Sequence, residues 1–301
     1  MKISIVTPSF NQGSFIEETI NSIWMQEGDF ELEHIIADGG STDNSVDIIK
    51  KYDKLYKEKI YPFKCKDFSF IWWSKKDNGQ SDALNQGFQI AKGNIFGWLN
   101  SDDTFFNKDS LYNICRAFNE NPHADLVVGN SSLINEKNKP LKLKPMINNF
   151  DNLLFNEKLN LFLDINLIPQ PSCLFLREIY EEFNIENYHY VMDWDFWIKC
   201  YLAGKKFIKI NKTIANLRTQ RNAKTTIMGP AYRKEIIQLL NKYNPTSRQI
   251  LLNKTMLINE SFYSVPLIGS IYSKIFRGLT NLYFVLKYKL FKNTRPPFMS
   301  N

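Results

Sequence analysis

Short apolar segments with strand-like patterns alternate with helix-like patterns from Ile3 to Gly129. The predicted strands are 3–7, 34–37, 70–73, 95–99 and 125–129. The predicted helices are 15–26, a segment that begins near Val46, 82–91 and 110–118, and a later one at 189–202. Repeated β-then-α units of this length predict an α/β fold, in which a mostly parallel, Rossmann-like sheet is covered by helices.

Polar clusters follow four of these predicted strands directly. They are Thr7-Pro8-Ser9, Asp38-Gly39-Gly40, Asp77-Asn78-Gly79 and Ser101-Asp102-Asp103. In open α/β sheets, ligands bind at the carboxyl ends of the strands, where the chain turns into a helix. We therefore expect four separate loops to converge on one edge of the sheet and to form a binding site there.

Asp102 and Asp103 end an apolar strand, where two adjacent carboxylates repel each other unless a cation or donor groups compensate them. Mg²⁺ or Mn²⁺ typically binds one or two carboxylates together with substrate phosphates, and would neutralise a diphosphate leaving group. The alternative is a solvated turn with an aspartate capping the helix at Ser110. For an isolated pair the alternative is the more common case, but the position after a buried strand favours the metal site.

Three further acidic segments each have two interpretations. Asp38 is expected either to accept the imide N–H of a pyrimidine base or to bond the backbone of its own turn. The segment 77–85 opens a helix whose free N–H groups suit a ribose or phosphate, while Ser81 also fits an ordinary helix N-cap. Asp193 and Asp195 cannot share one helix face, so one can enter the cleft as a proton acceptor. The residues alone favour instead a helix-start acid that complements the helix dipole.

Composition excludes several other classes of site. The four cysteines are far apart, which indicates reduced thiols, and the three histidines show no zinc-binding spacing. The chain has a net charge of +7, but the segment from Pro230 onward carries 11 Lys/Arg against two Asp/Glu, so the preceding residues sum to −2. The basic charge therefore belongs to the C-terminal segment, which argues against nucleic-acid binding by the rest. The start of the chain lacks signal-peptide features, so a cytoplasmic location is expected.

The ordered motifs resemble those of GT-A fold, family 2 glycosyltransferases, especially bacterial members used in O-antigen and capsule synthesis. The resemblance runs along roughly the first 225 residues. It is carried by Ile5-Val6-Thr7-Pro8-Ser9-Phe10-Asn11, Asp38-Gly39-Gly40-Ser41-Thr42-Asp43, Asp77-Asn78-Gly79-Gln80-Ser81-Asp82-Ala83-Leu84-Asn85-Gln86-Gly87, Trp98-Leu99-Asn100-Ser101-Asp102-Asp103, Pro169-Gln170-Pro171-Ser172 and Met192-Asp193-Trp194-Asp195-Phe196-Trp197.

This resemblance implies a set of donor-binding residues. They are Thr7, Pro8, Ser9, Asp38, Asn78, Gly79, Asp82, Asp102, Arg218 and Lys224. The first three would line the base and ribose, Asp38 would bond the pyrimidine, and Arg218 and Lys224 would contact the diphosphate.

The resemblance also implies a metal site and a catalytic base. Asp102 and Asp103 match the family's DxD-type motif, with Asp103 on a Mg²⁺ or Mn²⁺ ion and Asp102 nearer the ribose. Asp193 matches the general base that deprotonates the acceptor hydroxyl. Two positions depart from the pattern: Asn100 stands where an acid is usual, and Gln220 where many relatives have histidine.

The C-terminal segment is expected to form a basic, amphipathic helical extension, which divides the chain into 1–229 and 230–301. Apolar residues from Ile268 to Leu290 recur at helical spacing, with lysines and arginines mostly off that stripe. No apolar run reaches the ~18 residues of a spanning helix. Peripheral contact of 262–292 with an anionic membrane and packing of the stripe on the enzyme are about equally supported by periodicity. A lipid-linked acceptor, usual for similar enzymes, favours the membrane.

The combined prediction is an inverting glycosyltransferase of hexosyl or N-acetylhexosaminyl type, at the inner face of the cell membrane. It would transfer a sugar from a UDP-sugar donor to a glycan or lipid-linked glycan in surface polysaccharide synthesis. Two alternatives remain, a sugar-nucleotidyltransferase and a non-catalytic subunit that binds nucleotide sugars. The opening loop lacks the basic, glycine-rich character of the former, and the intact acids count against the latter. Neither a dinucleotide-binding nor a P-loop motif occurs.

Overall fold

The computed structural model describes residues 1–141, 166–220, 229–244, 250 and 253–254. The strands in this part are β1 (Lys2–Ser9), β2 (Glu27–Asp38), β3 (Lys64–Ser74), β4 (Ile95–Trp98), β5 (Thr104–Phe105), β6 (Leu126–Asn135), β7 (Cys173–Leu176) and β8 (Phe207–Thr219). The helices are α1 (Ile16–Trp24), α2 (Ser45–Lys57), α3 (Gln80–Ile90), α4 (Ser110–Glu120), α5 (Arg177–Phe183), α6 (Met192–Leu202) and α7 (Pro230–Tyr243), with a 3₁₀ turn at Gln170–Ser172.

The eight strands form one sheet in the order β3-β2-β1-β4-β7-β6-β8-β5. Strands β3, β2, β1 and β4 are parallel, so their carboxyl ends lie at one edge. Strand β7 is antiparallel to both β4 and β6, and β8 is parallel to β6. The carboxyl ends of β6 and β8 therefore return to the same edge as those of the first four strands.

Helices cover both faces of the sheet because each presents one apolar side. Ile16, Ile20 and Trp24 of α1 belong to a buried cluster that also takes in residues of α2 and α4. Leu84 and Phe88 of α3 belong to a second cluster, on the other side of the sheet, together with residues of α5 and α6. The apolar stripe of each helix recurs every three or four residues, which directs it toward the sheet.

Glycine at position 87 allows α3 to lie close to β1. A Cβ atom built at this position would be 2.5 Å from Cγ1 of Val6. Any other side chain would have to push the helix away from the strand. This close approach sets the distance between α3 and β1, which both border the site described below.

The predicted α/β fold is confirmed, and each strand and helix predicted between residues 3 and 202 lies within an observed one or overlaps it. The sheet is less parallel than expected, because β5 and β7 each pair antiparallel to their neighbours. Neither β5, β7 nor β8 was predicted. Strands β5 and β7 have only two and four residues and are almost wholly buried, and the burial of β8 does not alternate regularly, so none of the three gives a clear pattern in the sequence. Residues 262–292, expected to contact a membrane, lie outside the described residues. In the part of the chain that the structure describes, no helix is both long and apolar enough to span a membrane.

Candidate active site

The carboxyl edge of the parallel strands brings the four predicted loops together. In the strand register Ser9 pairs with Asp38, and Asp38 pairs with Ser74. The N–H of Gly39 donates to the carbonyl of Ser9 at 2.8 Å, and the side-chain amide of Gln80 donates to Oδ1 of Asn100 at 2.8 Å. These contacts join the loops after β1, β2, β3 and β4, as the strand order requires.

The polar cluster at the end of β1, Thr7-Pro8-Ser9, lies partly in the core and partly at the edge of the sheet. Thr7 is fully buried and its hydroxyl lies 3.1 Å from Nε2 of His34, so its side chain belongs to the core. That Thr7 lines the base and ribose of a donor stays a prediction. Pro8 is buried beside it. The hydroxyl of Ser9 is also buried, and within the described residues it has no hydrogen-bond partner. Within this cluster, the hydroxyl of Ser9 is thus the group that can still form a hydrogen bond at this edge of the sheet.

Asp38 is held by its own loop. Its Oδ2 accepts hydrogen bonds from the N–H of Gly40 and Ser41 and from the hydroxyl of Ser74, at 2.6–3.1 Å. Its Oδ1 accepts one from the hydroxyl of Ser41 at 2.6 Å. These contacts are the ones expected of an aspartate that bonds the backbone of its own turn, which is the second of the two interpretations of Asp38. Because a carboxylate oxygen can accept two hydrogen bonds, Oδ1 retains one position for a base.

The loop from Asp77 to Asp82 closes on itself around a glycine in a left-handed conformation. Oδ2 of Asp82 accepts from the backbone and side-chain N–H groups of Asn78 at 2.9 and 3.2 Å, and the first of these lowers the pKa of Asp82. Gly79 has a φ of 106° and open space where a side chain would lie. Asp82 therefore shapes the loop, and the backbone at Gly79 offers room for close approach of a ligand. Ser81 is not the N-cap; its hydroxyl donates to the carbonyl of Tyr188.

The two adjacent acids at the end of β4 occupy different environments. Asp103 is 3% exposed, and its Oδ1 accepts a 2.9 Å hydrogen bond from the backbone N–H of Arg218. Burial, together with the charge of Asp102, raises the pKa of Asp103 well above its usual range. Asp102 is half-buried. Asp102 is thus the more accessible carboxylate of the two, and the metal and ribose roles that the resemblance implies for Asp103 and Asp102 stay predictions.

Two residues on β8 and just after it support Asp102. Arg218 is buried, and its guanidinium donates to the backbone carbonyl of Asp102 at 2.7 Å and to Glu18 at 2.5 Å. These protein acceptors enclose the side chain of Arg218, and its predicted contact with a diphosphate stays a prediction. The amide of Gln220 donates to Oδ2 of Asp102 at 2.6 Å. Lys224 lies outside the described residues.

Asn100 belongs to a network of side-chain amides. Its Oδ1 accepts from Gln80, while its Nδ2 lies 3.3 Å from Oε1 of Gln170 and 3.4 Å from Oδ2 of Asp103. Gln170 in turn donates to the carbonyl of Trp98 at 2.7 Å. Gln80, Gln170 and Gln220 were assigned no role from the sequence. In the sequence these three glutamines are marked only by standing within or just after a motif. Such a position does not show whether an amide is structural or functional.

Asp193 and Asp195 point to different sides of α6, as their spacing predicts. Asp193 is half-buried, and burial raises its pKa to about 6 even though a 2.8 Å hydrogen bond from Asn166 acts in the opposite direction. Asp195 is fully buried and contacts Lys199, Lys242 and Tyr243 at 3.0, 3.2 and 2.8 Å. Asp195 thus holds structure together, whereas Asp193 has the proton affinity of a general base at neutral pH.

The segment 166–172 connects the two acidic centres. Asn166 contacts Asp193, and Gln170 contacts Asn100, four residues further along the segment. The rings of Trp98 and Trp197 stack at 5.7 Å, which fixes the end of β4 against α6. The segment 166–172 therefore links the loop that carries Asp102 to the start of α6, which carries Asp193.

A divalent metal ion fits this site only with ligands from a substrate. Among the residues that the structure describes, no group of three or more His, Cys, Asp or Glu side chains could hold a metal. Mg²⁺ and Mn²⁺ are satisfied by one or two carboxylates when phosphate oxygens and water complete the coordination. Asp102, with Asp103 behind it, has the chemistry of such a partial site.

Comparison of the sequence with known proteins identifies one family. The model described as glycosyl transferase family 2 matches residues 4–183. An uncharacterized glycosyltransferase of Nostoc is 30% identical over 142 residues, which cover 45% of this chain and 40% of the Nostoc protein. A PGL/p-HBAD biosynthesis glycosyltransferase of Mycobacterium bovis is 27% identical over 201 residues, 66% of this chain and 69% of the relative.

Solved structures share the fold at low sequence identity. S. aureus TarS in complex with UDP-GlcNAc superposes with a TM-score of 0.60 at 16% identity, covering 85% of this chain and 70% of that one. Glucosyl-3-phosphoglycerate synthase of Mycobacterium tuberculosis, in complex with Mn²⁺, UDP and glucosyl-3-phosphoglycerate, gives 0.54 at 17% identity, covering 80% and 79%. These similarities confirm the predicted GT-A fold.

Proposed function

We propose that this chain, which belongs to glycosyl transferase family 2, is an inverting glycosyltransferase that uses a UDP-sugar as donor. The membership follows from the family model, which matches residues 4–183. One observation carries the proposal. The loop of the half-buried Asp102, at the end of β4, is linked through the segment 166–172 to Asp193, whose pKa is raised to about 6 by burial. Donor binding and proton removal need two such separate carboxylates.

The donor would occupy the carboxyl edge of β1 to β4. Ser9 and Oδ1 of Asp38 would contact the base, and the loop at Asn78 and Gly79 would lie by the ribose and diphosphate. The similar TarS and glucosyl-3-phosphoglycerate synthase structures contain UDP or UDP-GlcNAc, which supports uridine as the base.

Asp102 would hold a Mg²⁺ or Mn²⁺ ion together with the donor phosphates. Such an ion supplies positive charge that stabilises the departing diphosphate. The chain's own residues prepare this position: Gln220 fixes one carboxylate oxygen of Asp102, and Arg218 fixes its backbone carbonyl. Mn²⁺ in the similar synthase structure supports the proposal.

Asp193 would accept the proton of the acceptor hydroxyl. The hydroxyl oxygen forms a bond to the anomeric carbon, the bond from that carbon to the diphosphate oxygen breaks, and the proton passes to the Asp193 carboxylate. Attack opposite the leaving group inverts the configuration. A base with a pKa near 6 is largely ionised at neutral pH and still has appreciable proton affinity.

The acceptor would be a glycan or lipid-linked glycan of the bacterial envelope. The name of the similar mycobacterial protein refers to PGL/p-HBAD biosynthesis, which supports a cell-surface product. An enzyme acting on such an acceptor would work at the inner face of the membrane, with contact through 262–292. A hexose or an N-acetylhexosamine would be the transferred sugar.

A donor screen tests the proposal. The protein is incubated with UDP-, GDP- and dTDP-sugars in the presence of Mn²⁺, Mg²⁺ or EDTA, and release of nucleoside diphosphate is measured. We expect metal-dependent release from at least one UDP-sugar and an increase when glycolipid acceptors are added. Binding without release would indicate a non-catalytic subunit. Release of pyrophosphate from a nucleoside triphosphate and a sugar phosphate would indicate a nucleotidyltransferase.

A further inference from the structure

Helix α7, the first element of the predicted C-terminal extension, holds the chain just before α6 through one carboxylate. Oε1 of Glu235 accepts the backbone N–H of His189 at 2.8 Å, and Oε2 accepts that of Tyr190 at 2.7 Å. Both N–H groups lie within four residues of Asp193. The first residue before α6 is Val191, which has no capping side chain. Glu235 therefore fixes, from another helix, the backbone of the segment that leads into α6.

The other end of α7 is held by a buried charge on α6. Nζ of Lys242 and the hydroxyl of Tyr243 contact Oδ1 of Asp195 at 3.2 and 2.8 Å. Asp195 is fully buried, so loss of these partners would leave a carboxylate poorly compensated in the protein interior. The contacts of Glu235 and Asp195 lie on either side of Asp193 along the chain.

An apolar cluster fills the space between the two helices. Residues of α6 and its approach pack against the buried side of α7, and the members are Val191, Trp194, Ile198, Ile236, Leu239, Leu240 and Ile250. Tyr232 of α7 lies close enough to Asp193 for the charge of the aspartate to contribute to its raised pKa, after burial. Helix α7 thus forms part of the wall around Asp193.

We propose that α7 belongs to the catalytic unit and positions Asp193, with Glu235 as the main positioning residue. This inference rests on the proposed function of Asp193 as the base. It moves the functional boundary from residue 229 to beyond Tyr243. The opposite side of the same segment is held by Ser81 of α3, whose hydroxyl donates to the carbonyl of Tyr188 at 2.7 Å. The segment before α6 is therefore held by hydrogen bonds from both α3, which borders the proposed donor site, and α7.

Steady-state kinetics of Glu235→Ala and Glu235→Gln test the inference, with Gln238→Ala on the exposed side of α7 as the matched control. We expect kcat of Glu235→Ala to fall about 10-fold or more, because small displacements of a catalytic group are costly. The KM for the donor should change less than twofold. Glu235→Gln, which keeps one acceptor oxygen, should recover part of the rate. The control should behave as wild type.

A double mutant separates positioning from general damage. In the Asp193→Asn background, Glu235→Ala should cause no further loss of kcat, because two residues that act through one group are not additive. Independent, multiplicative losses would overturn the inference. So would an unchanged kcat in the single mutant.

Hydrogen exchange of the full-length protein distinguishes this inference from the proposed function. Glu235→Ala should accelerate amide exchange in the segment 188–195 while the nucleotide affinity stays unchanged. Unchanged exchange there would overturn the inference even if the enzyme is an active transferase. Faster exchange in a protein that turns over no sugar nucleotide would place the failure in the proposed function of Asp193.

Discussion

The side-chain amide of Asn166 donates a 2.8 Å hydrogen bond to Oδ2 of Asp193 and so opposes the effect of burial on this carboxylate. Burial raises the pKa of Asp193 to about 6, and the amide stabilises the charged form. The two residues are 27 positions apart, so no local pattern joins them. Their balance determines at which pH the proposed base is ionised.

The first prediction concerns the pH dependence of transfer. Because Asp193 must be ionised to accept a proton, kcat should rise through pH 6 and level off above it. Asn166→Leu removes the hydrogen bond to Asp193 but leaves the carboxylate shielded from water. The pKa of Asp193 should therefore rise, and the midpoint of the increase in kcat should move to higher pH. Rates measured from pH 5 to 8 check this. A midpoint that moves downward would contradict the assignment.

Replacing the proposed base should separate binding from transfer. Asp193→Asn keeps the shape of the side chain but removes its proton affinity, so kcat should fall by ~10²-fold or more. The affinity for UDP should be unchanged, as measured by calorimetry. Asp67→Asn, an exposed position in β3, is the matched control and should retain full activity. Unchanged turnover of Asp193→Asn would remove it as the base.

Substitution of the two adjacent acids should have different effects. Asp102→Ala should abolish the stimulation by Mn²⁺ and leave the free energy of unfolding nearly unchanged, because Asp102 is half-buried. Asp103→Ala leaves the buried N–H of Arg218 without an acceptor, which should cost about 1–3 kcal/mol of stability. Mn²⁺ binding in the presence of UDP and urea unfolding measure the two effects. Full metal dependence of Asp102→Ala would return the metal role to Asp103.

Asn100→Asp tests how the amide network sets the metal affinity. The new carboxylate would face Oδ2 of Asp103 and Oε1 of Gln170, both acceptors that now lie 3.3–3.4 Å from an amide nitrogen. We expect a lower melting temperature without metal, because like charges and unpaired acceptors repel. Added Mn²⁺ should raise the melting temperature more than in wild type, since it binds the native state. Equal shifts in both proteins would contradict this role of Asn100.

The buried His34 should make the fold sensitive to acid. Burial lowers its pKa to about 3, while the unfolded value is 6.5, so the folded state binds fewer protons. The free energy of unfolding is therefore not reduced by His34 above pH 6.5. It decreases as the pH falls from 6.5 toward 3, and the decrease is about 2 kcal/mol by pH 5. Urea unfolding at pH 7.5 and 5 measures this difference. In His34→Gln the decrease should be smaller by about that amount.

The sequence was sufficient for the fold class and for the convergence of four polar loops at one edge of the sheet. Strands β1 to β4 alternate with helices at regular spacing, and each ends in polar residues, so their convergence follows from the geometry of parallel sheets. Asp102 and Asp193 could be named because they stand in ordered motifs. Periodicity is a local property, and it is visible without knowing what a residue contacts.

The environment of each of these residues was decided only by the tertiary structure. The different burial of Asp102 and Asp103 depends on β8, which brings the backbone of Arg218 to Asp103 across more than a hundred residues. The same strand encloses Arg218, and α7 brings Glu235 to the chain before Asp193. Burial and charge compensation arise from segments distant in sequence, and they set both the pKa of a carboxylate and its orientation. A motif identifies the acid, but the packing around that acid determines its burial and its hydrogen bonds.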